Sequence, residues 1–169
     1  MNSGRVLPAA HFLRERWVVV NEEEQQQNSL PPPYPLAMVV CDYIHNDPGT
    51  GKAFLLGCFS VIQAREFPAT HPCLALYLSV TNGRGTVPFK VQLVDVNEER
   101  DPIWMVEDEM EFPDPRVVAE LYFHLINLNF AEPGEYRFQL FACDEFLMER
   151  RILVVKVMQD LVDKEGGDQ

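Results

Sequence analysis

The sequence predicts an all-β protein, an immunoglobulin-like two-layer antiparallel β-sandwich of about eight strands with a mobile N-terminal extension. Three observations carry that prediction. From Leu36 onward, short runs of alternating apolar and polar residues recur between turn signals. Hydrophobic residues make up 47% of the 169-residue chain, enough for a core and too many for global disorder. The stretch Glu132-Pro133-Gly134-Glu135-Tyr136 reads as a corner leading into a strand. Pro133 and Gly134 suit the centre of a type II turn, with φ > 0 at the glycine. Tyr136, Phe138 and Leu140 then point one way, and Arg137 and Gln139 the other. A tyrosine after such a corner is a feature of immunoglobulin-like sandwiches, where its hydroxyl ties the corner to nearby backbone.

The elements follow in chain order. Residues 1–35 form an extension: Glu22–Gln27 is polar and of low complexity, and Pro31, Pro32, Pro33 and Pro35 follow. Such a segment buries too little apolar surface to offset its ordering entropy. His11-Phe12-Leu13 and Trp17–Val20 form a small apolar island upstream. The domain itself spans 36–158. Strand one is Met38–His45, the turn is Asn46–Gly51, and strand two runs from Lys52 to Gln63. A loop from 64 to 72, punctuated by prolines, leads to strand three, with Leu74, Leu76, Leu78 and Val80 on one face. Asn82-Gly83-Arg84-Gly85 is a hairpin signal of type I′. Strand four points Phe89, Val91 and Leu93 inward, and Val94–Val96 suggests a bulge. Strand five, Ile103–Phe112, sets Trp104, Val106, Met110 and Phe112 against Glu107, Glu109 and Glu111. Val117–Phe130 reads as a long strand whose phase shifts at Leu125, so that Ile126, Leu128 and Phe130 continue it; a helical first turn near Arg116–Glu120 is the alternative. A last hairpin joins Tyr136–Cys143 to Met148–Val157, and residues 159–169 form a flexible acidic tail.

Composition excludes several function classes. The formal net charge of −12 opposes binding to nucleic acid or an anionic membrane, which need a basic face. No run of 18 apolar residues occurs, so no helical membrane span is expected. Arg14, Glu15 and Arg16 interrupt any secretory h-region, and a cytoplasmic location is the expectation. Cys41, Cys58, Cys73 and Cys143 form no C-x-x-C pair, so reduced thiols are expected there.

Cys41–Lys52 followed by Gly57-Cys58-Phe59-Ser60 resembles the opening hairpin of a family of uncharacterised bacterial proteins, defined by a domain of unknown function. Arg65–Pro72, Phe112-Pro113-Asp114-Pro115-Arg116 and Phe146–Arg151 resemble the same family. The resemblance covers about residues 37–156 and implies a domain boundary and a bacterial origin, with no activity attached.

No catalytic, cofactor-binding or metal-ligating residue is assigned. Asp47-Pro48-Gly49-Thr50-Gly51-Lys52 imitates a phosphate loop, but Asn46 stands where the first glycine is needed and Ala53 where the hydroxyl is needed. Glu107, Glu109 and Glu111 share a strand face about 6.5–7 Å apart, which spreads them for solvent rather than converging them on calcium. Glu98, Glu99, Asp101 and Asp108 lie near them in sequence. His11, His45, His71 and His124 lack zinc spacing, and His71 beside Cys73 reads as a loop histidine rather than half of a nucleophilic pair. A hairpin centred between Gly49 and Thr50 sets Cys41 opposite Cys58, and free thiols are expected.

The candidate interaction surface is Arg65, Glu66, Phe67 and His71 in the 64–72 loop, with Arg150 and Arg151. The expected function is a non-enzymatic protein-interaction or accessory module with a protein partner and no cofactor. A small ligand-binding protein or enzyme using the 64–72 and 46–52 loops is one alternative. A structural or assembly subunit is another, and a sheet edge offers a route to a homo-oligomer.

Overall fold

A computed structural model describes residues 31–96 and 100–157. Nine strands lie there: β1 (Tyr34–Asn46), β2 (Ala53–Cys58), β3 (Val61–Ala64), β4 (Ala69–Thr81), β5 (Gly85–Asp95), β6 (Trp104–Phe112), β7 (Ala119–Phe130), β8 (Gly134–Ala142) and β9 (Glu145–Lys156). They form a sandwich of two sheets, ordered β2-β1-β4-β7 and β3-β9-β8-β5-β6. Pairing is antiparallel except between β3 and β9, which run parallel. Among the described residues there is no helix, so the chain before Ala119 has no helical turn of the kind weighed for Arg116–Glu120. The expected mobility of residues 1–30 and 159–169, the apolar island, His11, and Glu98 and Glu99 lie outside the described residues. The expected boundary at residue 35 moves, because Tyr34 and Pro35 already pair with Thr81 and Val80.

The core is the alternation in the sequence made solid. Leu74, Leu76, Leu78 and Val80 of β4 are fully buried, as are Val91 and Leu93 of β5 and Phe138 and Leu140 of β8. Rings lock the sheets across the gap: Phe123 of β7 meets Trp104 edge-on at 5.5 Å and Phe89 at 6.4 Å. On the edge strand β6, Met110 and Phe112 turn inward while Glu107, Glu109 and Glu111 stay exposed. Like charges along an edge discourage further strands from adding there.

Five local expectations are corrected, and in three of them the cause is a backbone twist that side-chain periodicity does not report. The expected second strand is two strands. Gly57 has φ 69°, and a Cβ there would lie 2.1 Å from Asp42 Oδ2, so any side chain would strain the backbone and push Asp42 aside. Just beyond it the chain leaves the first sheet and joins the second beside β9. Asn82–Gly85 is likewise a crossing between sheets rather than a hairpin. Asn82 (φ 62°) and Gly85 (φ 62°) supply the left-handed geometry, and Gly83 lies under the Phe112 ring, 2.3 Å from where a Cβ would sit. In β7 the phase changes at Asn127 (φ 53°), so Leu125 and Leu128 are both buried and Ile126 is 69% exposed rather than inward. The fourth concerns Val94–Val96, where no bulge occurs: the β5–β8 ladder runs unshifted to Asp95. Gly134 also departs from its expected positive φ and simply opens β8. The two-residue β8–β9 turn instead places Cys143 and Asp144 at φ 51° and 63°, the pair of left-handed residues a type I′ hairpin requires.

The tyrosine corner stands as expected. Tyr136 is 2% exposed, its hydroxyl donates to the Glu132 carbonyl at 2.8 Å, and its ring meets Phe130 edge-on at 4.8 Å. Tyr136→Phe keeps the ring and strands the carbonyl, so chemical denaturation should show a loss of about 1–3 kcal/mol with no change of fold. Tyr136→Ala also empties the ring's space and should cost about 3–5 kcal/mol. A Phe variant as stable as the wild type would mean that water replaces the hydroxyl without cost.

Candidate functional site

The twist at Asn127 lies opposite Pro72, and it decides where His71 points. Before it, Leu74 and Leu125 face the core; beyond it, Leu128 does, and Leu128 is paired with His71. His71 therefore belongs to β4, not to a loop, and its ring is turned toward the space between the sheets. There it meets the ring of Phe59 at 6.0 Å. A hollow of about 420 Å³ opens at this end of the sandwich, lined by Asp42, Gly57, Cys58, Phe59 and His71 with residues 61–63. It lies where the chain passes from the first sheet to the second.

Arg150 reaches the same crossing from β9. It is paired with Phe138, whose side chain is fully buried, so the arginine too faces inward. Its guanidinium donates to Ser60 Oγ at 2.8 Å. Among the described residues, two buried side-chain nitrogens have no hydrogen-bond partner: His71 Nε2 and Arg150 Nε. Unpaired buried polar atoms are costly, and both occur where the apolar layer ends. Burial pushes the His71 pKa down, against smaller opposing effects of the Cys73 backbone and the Asp42 carboxylate. The imidazole is thus held neutral, and acid must charge it against its surroundings.

The residues expected to form one surface are divided. Arg65 and Glu66 are exposed in the short connection 65–68, while Phe67 is half-buried against the core. Ser60, which Arg150 grips, is separated from Arg65 by the whole of β3, about 16 Å of extended chain. Arg151 faces the opposite way from Arg150 and pairs with Glu135 at 3.2 Å. His71 thus meets the crossing at Phe59 and Arg150 meets it at Ser60, while Arg65, Glu66 and Arg151 lie elsewhere. Asp42, Phe59 and Ser60 were not foreseen. Gly57 was the available signal, because a glycine inside a strand marks a bulge or a close approach.

The turn 47–52 closes on itself. The Asp47 carboxylate accepts from the Gly49 amide at 2.8 Å and from Thr50 Oγ1 at 2.7 Å, which lowers its pKa. A phosphate loop needs such amides free for its ligand. Among the described residues no group of three or more His, Cys, Asp or Glu is arranged to hold a metal ion.

A second feature is apolar and open. Tyr43 and Leu56 stand opposite each other on the β1–β2 hairpin, as do His45 and Phe54, so all four share one face. Tyr43, Phe54 and Leu56 are 53%, 49% and 51% exposed. Tyr43 meets His124 of β7 at 5.9 Å, and exposed Ile126 lies two residues further on the same strand face. Nearby, the Glu120 carboxylate accepts from the hydroxyls of Tyr77 at 2.6 Å and Tyr122 at 2.5 Å. Burial and that carboxylate push the Tyr122 pKa up to about 12.

Among the described residues these features define an immunoglobulin-like sandwich of nine strands, with a polar notch at one sheet crossing and an aromatic face on a projecting hairpin. The chain matches the model of a family of unknown function, DUF6941, over residues 36–155, and it belongs to that family. Among curated proteins none matches it. Similar solved structures include a beta-glucosidase from Kluyveromyces marxianus, at 16% identity and a TM-score of 0.37, covering 61% of this chain and 15% of that one. That likeness carries no argument about activity.

The notch makes a prediction about pH. Unfolded histidine takes up a proton near pH 6.5, whereas folded His71 does so only at lower pH. Between the two values the unfolded chain binds more protons, so stability falls as pH drops through that window. Urea midpoints at about pH 7 and pH 5 should therefore separate more in the wild type than in His71→Gln. Equal separations would place His71 in free contact with water.

Proposed function

We propose that this protein is a non-enzymatic interaction module, working in the cytoplasm of a bacterium, that binds a protein partner through the face carrying Tyr43, Phe54, Leu56 and Ile126. The single observation supporting this reading is the exposure of these four large apolar side chains on β1, β2 and β7 of the first sheet. A contiguous exposed apolar patch marks an interaction site more often than chance surface does. Interface centres are enriched in aromatic residues and depleted of charge. An identical copy is the less suitable partner, since two chains of net charge −12 repel.

The test is capture of partners from native lysate by the full chain and by Leu56→Glu/Ile126→Glu. Both positions are exposed, so the double variant should melt as the wild type does. A partner held by the wild type should be lost by the variant. If the variant retains it, another surface binds. If the wild type brings down no protein but carries a small molecule that His71→Gln fails to hold, the ligand-binding reading at the notch replaces this one.

A further inference from the structure

Cys41 is the junction of the first sheet. It is paired with Cys58 of β2 on one side and with Ala75 of β4 on the other, and the β1–β4 ladder ends at that residue. Beyond it, the hairpin through Tyr43–Asn46 and Ala53–Leu56 continues with β2 paired to β1 alone. The type of the Cys41–Cys58 pair follows from one hydrogen bond. The Phe59 amide donates to the Val40 carbonyl at 3.2 Å. In an antiparallel ladder that bond flanks a non-hydrogen-bonded pair, so Cys41 and Cys58 are the closely approaching kind, with Cα atoms about 4.5 Å apart. Their side chains leave the same face, and that separation lies within the range a disulfide spans. Both thiols are free in this structure. Cys73 is the neighbour that could compete. It stands diagonal to Cys41, two residues from Ala75, where Cα separations of about 7–8 Å exceed what a disulfide reaches.

We propose that Cys41 and Cys58 form a reversible disulfide when the protein meets a hydroperoxide, and that this bond pins the root of the β1–β2 hairpin. Cys58 is exposed and Cys41 is buried, which orders the steps. The Cys58 thiolate attacks the terminal peroxide oxygen, the O–O bond breaks, and a sulfenic acid and an alkoxide form, the latter being hydroxide when the oxidant is hydrogen peroxide. That leaving oxyanion takes up the proton released from the Cys58 thiol and becomes the reduced hydroxyl product. The Cys41 sulfur, giving up its proton, then attacks the Cys58 sulfur; the S–O bond breaks and water leaves. Two thiols and one hydroperoxide thus give one disulfide, water and the reduced hydroxyl product, with two electrons passing to the oxidant. Burial and the nearby Cys58 raise the Cys41 pKa, in keeping with its role as the second, resolving thiol. The proposal stands on the pair itself and does not depend on the aromatic face binding a partner.

The experiment treats reduced full-length protein with one equivalent of hydrogen peroxide. Digestion under non-reducing conditions and mass spectrometry then follow. Before oxidation, Cys58 should alkylate at least about tenfold faster than Cys41 in the native protein. After oxidation, a Cys41–Cys58 linked peptide should dominate and vanish on treatment with a dithiol. Amides of Ala53–Cys58 should then exchange more slowly, because an edge strand with one neighbour has gained a covalent tether. Cys41→Ser, a near-isosteric change, should leave Cys58 to stop at sulfenic or higher acids. Sulfinic acid at Cys58 with Cys41 still free in the wild type would overturn the proposal. So would a dimer linked through Cys58, or a dominant peptide containing Cys73 or Cys143.

Discussion

One apolar layer between two sheets governs this molecule. Each fully buried leucine or phenylalanine there contributes about 1.5–3 kcal/mol relative to exposure. That layer includes Leu74, Leu76 and Leu78 from the first sheet and Leu93, Phe138 and Leu140 from the second. To build both sides from one chain, the backbone must pass between sheets without exposing those faces. It does so five times among the described residues, and the passages after Gly57 and after Asn82 use left-handed backbone beside a closely packed side chain. The tyrosine corner is a further device of this kind, fastening the β7–β8 connection to a ring already inside the layer.

What was legible in the sequence is what the layer dictates. Alternation read correctly in β4, β6 and β8, because a strand with one buried face must repeat every two residues. The register of the first hairpin was legible too, since Cys41 and Cys58 stand opposite each other as the turn centre requires. Turn chemistry was legible only halfway. Asn-Gly announces left-handed backbone, and Asn82 adopts it, but the same φ serves a hairpin or a crossing between sheets. Which one forms depends on where β5 finds its partners, β6 and β8, and that is settled far along the chain. Asn127 shows the same limit from inside a strand: one left-handed residue reverses the faces of both β7 and its neighbour, turning Ile126 outward and His71 inward.

The candidate site was therefore found in fragments. The sequence points to His71 as a loop residue and to Arg150 as half of a basic pair on the last strand. The crossing at Phe59, which meets His71, and Ser60, which accepts from Arg150, depends on left-handed backbone at Gly57 and at Asn127, of which only the glycine is announced by the sequence. Arg150 and Arg151 make the point plainly. Adjacent residues on a strand face opposite ways, so a pair that looks like one basic patch becomes an inward donor to Ser60 and an outward partner of Glu135.

The notch and the hairpin share one structural cause. Burial of the layer requires β1 to lie against β4, and that ladder ends at Cys41. Strand β1 runs on for five further residues to Asn46, and β2 returns along it. Ile44 and Leu55 hold this projection down, packing with Cys41, Ala75, Tyr77 and Tyr122 in a small cluster separate from the main core. Its other face carries Tyr43, Phe54 and Leu56 into solvent. A hairpin so held has fewer ties than the strands beneath it, so its position costs less to alter than theirs. The same residues that end the β1–β4 ladder also begin the crossing into the second sheet, since Cys58 is the last residue of β2 and also lines the notch. Any event at the Cys41–Cys58 pair is consequently felt on both sides: toward the polar hollow through Cys58, and toward the aromatic face through the hairpin root.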